Sequence, residues 1–88
     1  MEFFIDDDPG YLRWLHENPS GFVVNADPSP NSSYLRLHHA GCRTISGPPA
    51  TGRAWTVTST KTCGTRQELE AWASAVIGGS LSPCPTCL

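Results

Sequence analysis

"LHHAGC" spans Leu37 to Cys42, and "SPCPTCL" spans Ser82 to Leu88. Zinc is held by four borderline-to-soft ligands in a tetrahedron, and proteins commonly supply them as two close pairs that folding brings together. Cys84-x-x-Cys87 is one such pair, because two intervening residues let both sulfurs bend towards one point. His38-x-x-x-Cys42, or else His39-x-x-Cys42, is the other, with Gly41 easing the turn. The expected ligand set is His38, Cys42, Cys84 and Cys87 around Zn2+. Three thiolates and an imidazole leave no open position for water, so the metal is expected to hold the fold rather than perform chemistry.

Working outwards, Cys63 competes with the histidines for a place in this set. It ends "RAWTVTSTKTC" (53–63), where Trp55 and Val57 alternate with Thr56, Thr58 and Thr60 as in a strand. Cys63 shares the parity of Trp55 and Val57, which points to core packing. The same rule applied to "SYLRLH" (33–38) sets Leu35 and Leu37 on one face. A straight strand then puts His39 with them and turns His38 away, unless a turn begins at His38.

Two helices are expected. Asp8-Pro9-Gly10 starts the first, with Asp8 as cap and Pro9 at the first helical position, and Asn18-Pro19 ends it. Thr65-Arg66-Gln67-Glu68 is a capping box opening the second. Leu69, Trp72, Ala73, Val76 and Ile77 come next at helical spacing to give an apolar stripe, and Gly78-Gly79 stops the run. "GFVVN" reads as a short strand at Phe22–Val24, and the C-terminal residues read as a turn too short for another element. The expected architecture is one α+β domain over 1–88, a short antiparallel sheet of about three strands with two helices, stabilised by zinc.

A chain of 88 residues, 39% hydrophobic and 16% charged, buries too little apolar surface to depend on its core alone, and small domains commonly add a metal or disulfides. "MEFFIDDDPG" lacks the basic start and apolar run of a signal peptide, and no apolar stretch is long enough to cross a membrane. The expected compartment is therefore the reducing cytoplasm, where cysteines favour metal over disulfide. A thioredoxin-like redox role for Cys84 and Cys87 fits less well, since that motif opens a helix and this chain stops at Leu88.

With this order of elements in place, the chain resembles the Ada-type zinc-binding module. The residues that carry the likeness are Leu37, His38, Cys42, the helix 66–77, Gly78 or Gly79, and Pro83-Cys84-x-x-Cys87. It covers about residues 33–88. The resemblance implies a small α/β zinc module tied to DNA, as in alkylation-repair proteins and nuclease tails. Repair members use a cysteine at the first ligand position as methyl acceptor. His38 stands there, so methyl transfer is not carried over.

Charge is unevenly spread. Residues 1–27 carry Arg13 against Glu2, Asp6, Asp7, Asp8, Glu17 and Asp27, whereas residues 28–88 carry Arg36, Arg43, Arg53, Lys61 and Arg66 against Glu68 and Glu70. Arg36, Arg43, Arg53 and Lys61 are the residues expected to meet phosphates, with Arg66 as a further candidate. The net charge of −2 favours a protein partner as the alternative. Asp6-Asp7-Asp8 reads as a solvated run, His16 as a surface residue, Trp55 and Trp72 as core, and Trp14 as the most open tryptophan. No Ser-His-Asp set, glycine-rich phosphate loop or carboxylate pair in a cleft is legible, so neither an enzyme nor a small-molecule substrate is expected.

Overall fold

The computed structural model describes residues 1–46, 55–57 and 59–88. Five strands form one mixed sheet: β1 (Glu2–Phe4), β2 (Phe22–Ala26), β3 (Leu35–His39), β4 (Thr60–Gly64) and β5 (Ser82–Pro83). Their spatial order is β1-β4-β2-β3-β5. All neighbours run antiparallel except β3 and β5, which are parallel. The α+β class matches expectation; the sheet does not, having five strands rather than three and a parallel edge. Both additional strands are too short to signal themselves, at three and two residues.

Among the described residues three α-helical segments accompany the sheet: α1 (Asp8–Glu17), α2 (Arg43–Ser46) and α3 (Arg66–Trp72). They sandwich the sheet, so both of its faces are buried. On one face Phe4, Val23, Cys63 and Cys84 pack with Tyr11 of α1, Ile45 of α2 and Cys42. On the other, Val24, Ala26, Leu35 and Leu37 pack with Leu69, Trp72 and Ala73. Successive strand residues point to opposite faces. Val23, paired with His38 and Cys63, and Val24, paired with Leu37 and Thr62, therefore serve different cores.

The first helix starts differently from expectation. Asp7, not Asp8, is the cap: its side chain accepts from the Gly10 N–H at 3.1 Å. Asp8 is occupied elsewhere, accepting from Thr56 N (2.8 Å), Thr56 Oγ1 (2.7 Å) and Trp55 N (3.1 Å). Burial acts against ionisation there, but these bonds outweigh it and hold the Asp8 carboxyl below its ordinary range. Thr56 Oγ1 also accepts from Asp7 N, and Thr56 O from Asp6 N. The side chains of Asp6 and Asp7 are exposed, as a solvated run would be, while the Asp8 side chain and the Asp6 and Asp7 backbone clamp this turn. The clamp also bears on the expected long strand: among the described residues of 53–63, Trp55–Val57 form a turn and only those of Thr60–Gly64 pair in the sheet. Residues 53, 54 and 58 lie outside the described residues.

The capping box forms as read. Thr65 Oγ1 accepts from Glu68 N (3.1 Å) and Glu68 Oε1 from Thr65 N (2.9 Å). The helix does not run regularly to Ile77, because Ala73–Ile77 closes as a π-turn. That wider turn shifts the later residues off the apolar stripe, and Val76 is 70% exposed instead of buried. Gly78, at φ 79°, adopts the left-handed conformation that ends the helix, and Gly79 N reaches back to Ala73 O at 2.9 Å. Thr65→Ala should cost about 1 kcal/mol, lowering the thermal midpoint by about 4–8 °C. A calorimetric scan checks this, and an unchanged midpoint would assign helix stability to Leu69 and Trp72 packing alone.

Candidate metal centre

The two ends of the candidate ligand set arrive by different routes. The β3 strand continues straight through His39 without turning at His38, so His38 points away from Leu35 and Leu37. That does not expose it, because the opposite face is covered as well: His38 is 5% exposed. The chain then turns, with Ala40 N donating to Gly21 O (3.0 Å) and Cys42 N to His39 O (2.9 Å). Cys42 sits just before α2, its carbonyl accepting from Ile45 N, Ser46 N and Ser46 Oγ. Gly41 is in a conformation open to any residue and has free space where a side chain would stand, so the turn does not require glycine.

Cys84 and Cys87 are delivered by β5. Its parallel pairing sets Arg36 opposite Ser82 and Leu37 opposite Pro83, and Cys84 N donates to Leu37 O at 2.8 Å. The residues expected to form only a turn therefore dock as a strand alongside the one that carries His38. The knuckle then folds over, with Leu88 N donating to Cys84 O (2.9 Å) and His39 N to Cys87 Sγ (3.4 Å).

The outcome is a cluster of His38, Cys42, Cys84 and Cys87 whose ligand atoms all lie within 4.8 Å of one another. His39 is outside it, exposed, its ring against Phe22 at 4.7 Å between centroids. Cys63 is outside it too: fully buried in the first core, it has a thiol that burial pushes up to about 12. All four cysteines are free thiols.

The chemistry of the set suits a metal. Burial, aided by the charges of Lys61 and Arg36, pulls His38 down to about 4, so its imidazole is neutral at pH 7 and has a lone pair to give. Burial opposes ionisation of Cys84, but the backbone N–H groups of Thr86 and Cys87, with Thr44, overcome it and bring the thiol down to about 7. Burial and the facing Cys42 thiol push Cys87 up to about 11. Three thiols crowd together with no disulfide between them, and buried His38 Nε2 has no hydrogen-bond partner among the described residues. Around a tetrahedral zinc, with metal–sulfur bonds of about 2.3 Å, sulfurs stand about 3.8 Å apart, so the observed spacing needs little contraction. The four residues could hold a metal ion.

One contributor was not read from the sequence. Thr44 Oγ1 lies 3.0 Å from Cys42 Sγ, 3.2 Å from His38 Nδ1 and 3.9 Å from Cys84 Sγ. The only available signal was a hydroxyl two residues after a ligand cysteine, a spacing too common to single out.

The candidate phosphate-contacting residues separate. Arg43 is exposed at the start of α2, and Arg36 is half-buried, its Nη1 3.5 Å from Pro83 O. Arg66 is exposed and pairs with Glu70 at 3.4 Å. Arg53 lies outside the described residues. Lys61 is withdrawn from the set: it is 4% exposed, its ammonium donating to Asn25 Oδ1 and Ser59 Oγ, and burial lowers it to about 8. An amine enclosed this way has nothing to offer a phosphate. His16 is on the surface as expected. Trp14 is half-buried and lines a cleft of about 550 Å³ with Glu2, Glu17 and Glu68, away from the cysteine cluster.

No helix among the described residues is long and apolar enough to cross a membrane. No protein-family model, curated protein or solved structure matches this chain.

Proposed function

We propose that this protein is a small non-catalytic module built on a structural zinc site, associated with nucleic acid and working in a reducing compartment. One observation carries the reading: His38, Cys42, Cys84 and Cys87 place all their ligand atoms within 4.8 Å of one another. Three thiolates and one imidazole select a soft or borderline divalent ion and fill a tetrahedron, leaving no site for an activated water. The likeness of Leu37, His38, Cys42 and Pro83-Cys84-x-x-Cys87 to the Ada-type module supports the link to DNA. Native mass spectrometry should find one zinc per chain, and a folded chain without metal at neutral pH would overturn the zinc reading.

Nucleic-acid contact falls to Arg36 and Arg43, which flank the His38–Cys42 turn, so a bound metal would fix their separation. Each lost phosphate contact lowers the slope of log affinity against log salt by about 0.7–0.9. Arg36→Ala with Arg43→Ala should therefore weaken binding several-fold and flatten the salt dependence. A fluorescence titration against duplex and single-stranded DNA at several salt concentrations measures both. Wild-type protein that shows no salt-dependent binding would leave the second reading, a protein-interaction module. That alternative is favoured by exposed apolar side chains, with Phe3 at 49%, Ile5 at 63% and Val76 at 70%.

A further inference from the structure

The Thr44 hydroxyl faces three of the four candidate ligands, and its position is not accidental. The turn that carries it is fixed at both sides: Cys42 O accepts from Ile45 N at 3.1 Å and Ser46 N at 3.0 Å. Ile45 is buried, and its carbonyl accepts from the Tyr11 hydroxyl at 2.8 Å, which ties α2 to α1. Thr44 as a residue is exposed, while its hydroxyl is turned to the cluster.

The His38 ring has two different edges. Nδ1 has a partner in Thr44 Oγ1 at 3.2 Å, while Nε2 is buried and has none among the described residues. A neutral imidazole is a donor at one nitrogen and an acceptor at the other. A hydroxyl has one proton to give and lone pairs to receive. Two sulfurs compete for that proton, Cys42 Sγ at 3.0 Å and Cys84 Sγ at 3.9 Å. With the nearer one accepting as a thiolate, Nδ1–H donates to Thr44 Oγ1, Thr44 Oγ1–H donates to Cys42 Sγ, and the Nε2 lone pair is left for the metal.

We propose that Thr44 is a positioning residue of the metal centre, relaying a hydrogen bond from His38 Nδ1 to the Cys42 thiolate and so fixing the imidazole tautomer that binds metal through Nε2. The inference rests on the metal reading above. Partners of this kind orient a ligating histidine and raise its basicity, and losing one typically costs 10–100-fold in metal affinity. Thr44 supplies the histidine's partner and the thiolate's donor with one atom.

The test uses the full chain loaded with zinc. Competition against a chromophoric chelator should show Thr44→Val, which keeps the shape and loses the hydroxyl, binding zinc about 10–100-fold more weakly. Thr44→Ser, which keeps the hydroxyl, should stay within a few-fold of wild type. Long-range proton–nitrogen NMR of the wild-type zinc form should show His38 protonated at Nδ1, a readout that needs no variant to fold. Equal affinity of wild type and Thr44→Val, or a proton on Nε2, overturns the relay while leaving the metal site standing. A wild-type chain that takes up no zinc overturns the metal reading, and the relay with it.

Discussion

If the cluster holds zinc as proposed, a strong chelator should unfold the domain, with loss of the near-ultraviolet signal of its tryptophans and recovery on adding zinc. The expectation comes from how little else secures the C-terminal knuckle. The β5 strand is two residues long, and the ligands come from β3, the turn before α2 and the chain end, pieces that the site joins. Structural zinc contributes an apparent 10–16 kcal/mol or so in small domains, which rivals or exceeds the roughly 5–15 kcal/mol of a typical whole fold. Ligand assembly and folding are then one equilibrium. Acid should act in the same direction. His38 accepts a proton near pH 6.5 in the unfolded chain but only near about 4 in the folded one. Between these values the unfolded state binds more protons, so stability falls as pH drops through that window. Circular dichroism with and without chelator, at pH 7 and at pH 5, tests both statements. A melting curve indifferent to chelator would mean the two apolar cores suffice.

The cysteine-to-serine series should give the second large effect, in an order that burial does not predict. Cys63 is the most buried of the four at 0% exposed, and Cys87 is only half-buried. If packing alone set the cost, Cys63→Ser would be the worst and Cys87→Ser the mildest. A metal centre reverses this. Cys42→Ser, Cys84→Ser and Cys87→Ser each remove a ligand and should abolish folding. Cys63→Ser leaves the centre intact and costs about 1–3 kcal/mol for a hydroxyl short of partners in an apolar core. Denaturant midpoints together with zinc content decide the matter. Loss of zinc from Cys63→Ser, with retention in His38→Ala, would move Cys63 into the ligand set.

What the sequence by itself determined is whatever short windows control. The Thr65–Glu68 capping box needs only four residues and formed as read. The β2 strand was legible as a short apolar run at Phe22–Val24, β3 from the alternation of Leu35 and Leu37, and the placement of Leu69, Trp72 and Ala73 from helical spacing. The pairs His38/Cys42 and Cys84/Cys87 were legible because ligand spacing is itself local. The tertiary structure decided everything that depends on a distant partner. Asp8 left its expected cap for Thr56 and Trp55, far along the chain, and that capture turned Trp55–Val57 out of the strand. Lys61 sits on a strand covered on both faces, so a charge that reads as surface is buried beside Asn25 and Ser59. The choice of His38 over His39 has the same origin. Parity correctly separated the two side chains, but parity names a face without saying whether that face is covered. It is α1 and α2, packed through Tyr11 and Ile45, that make the His38 side an interior in which a metal can be enclosed.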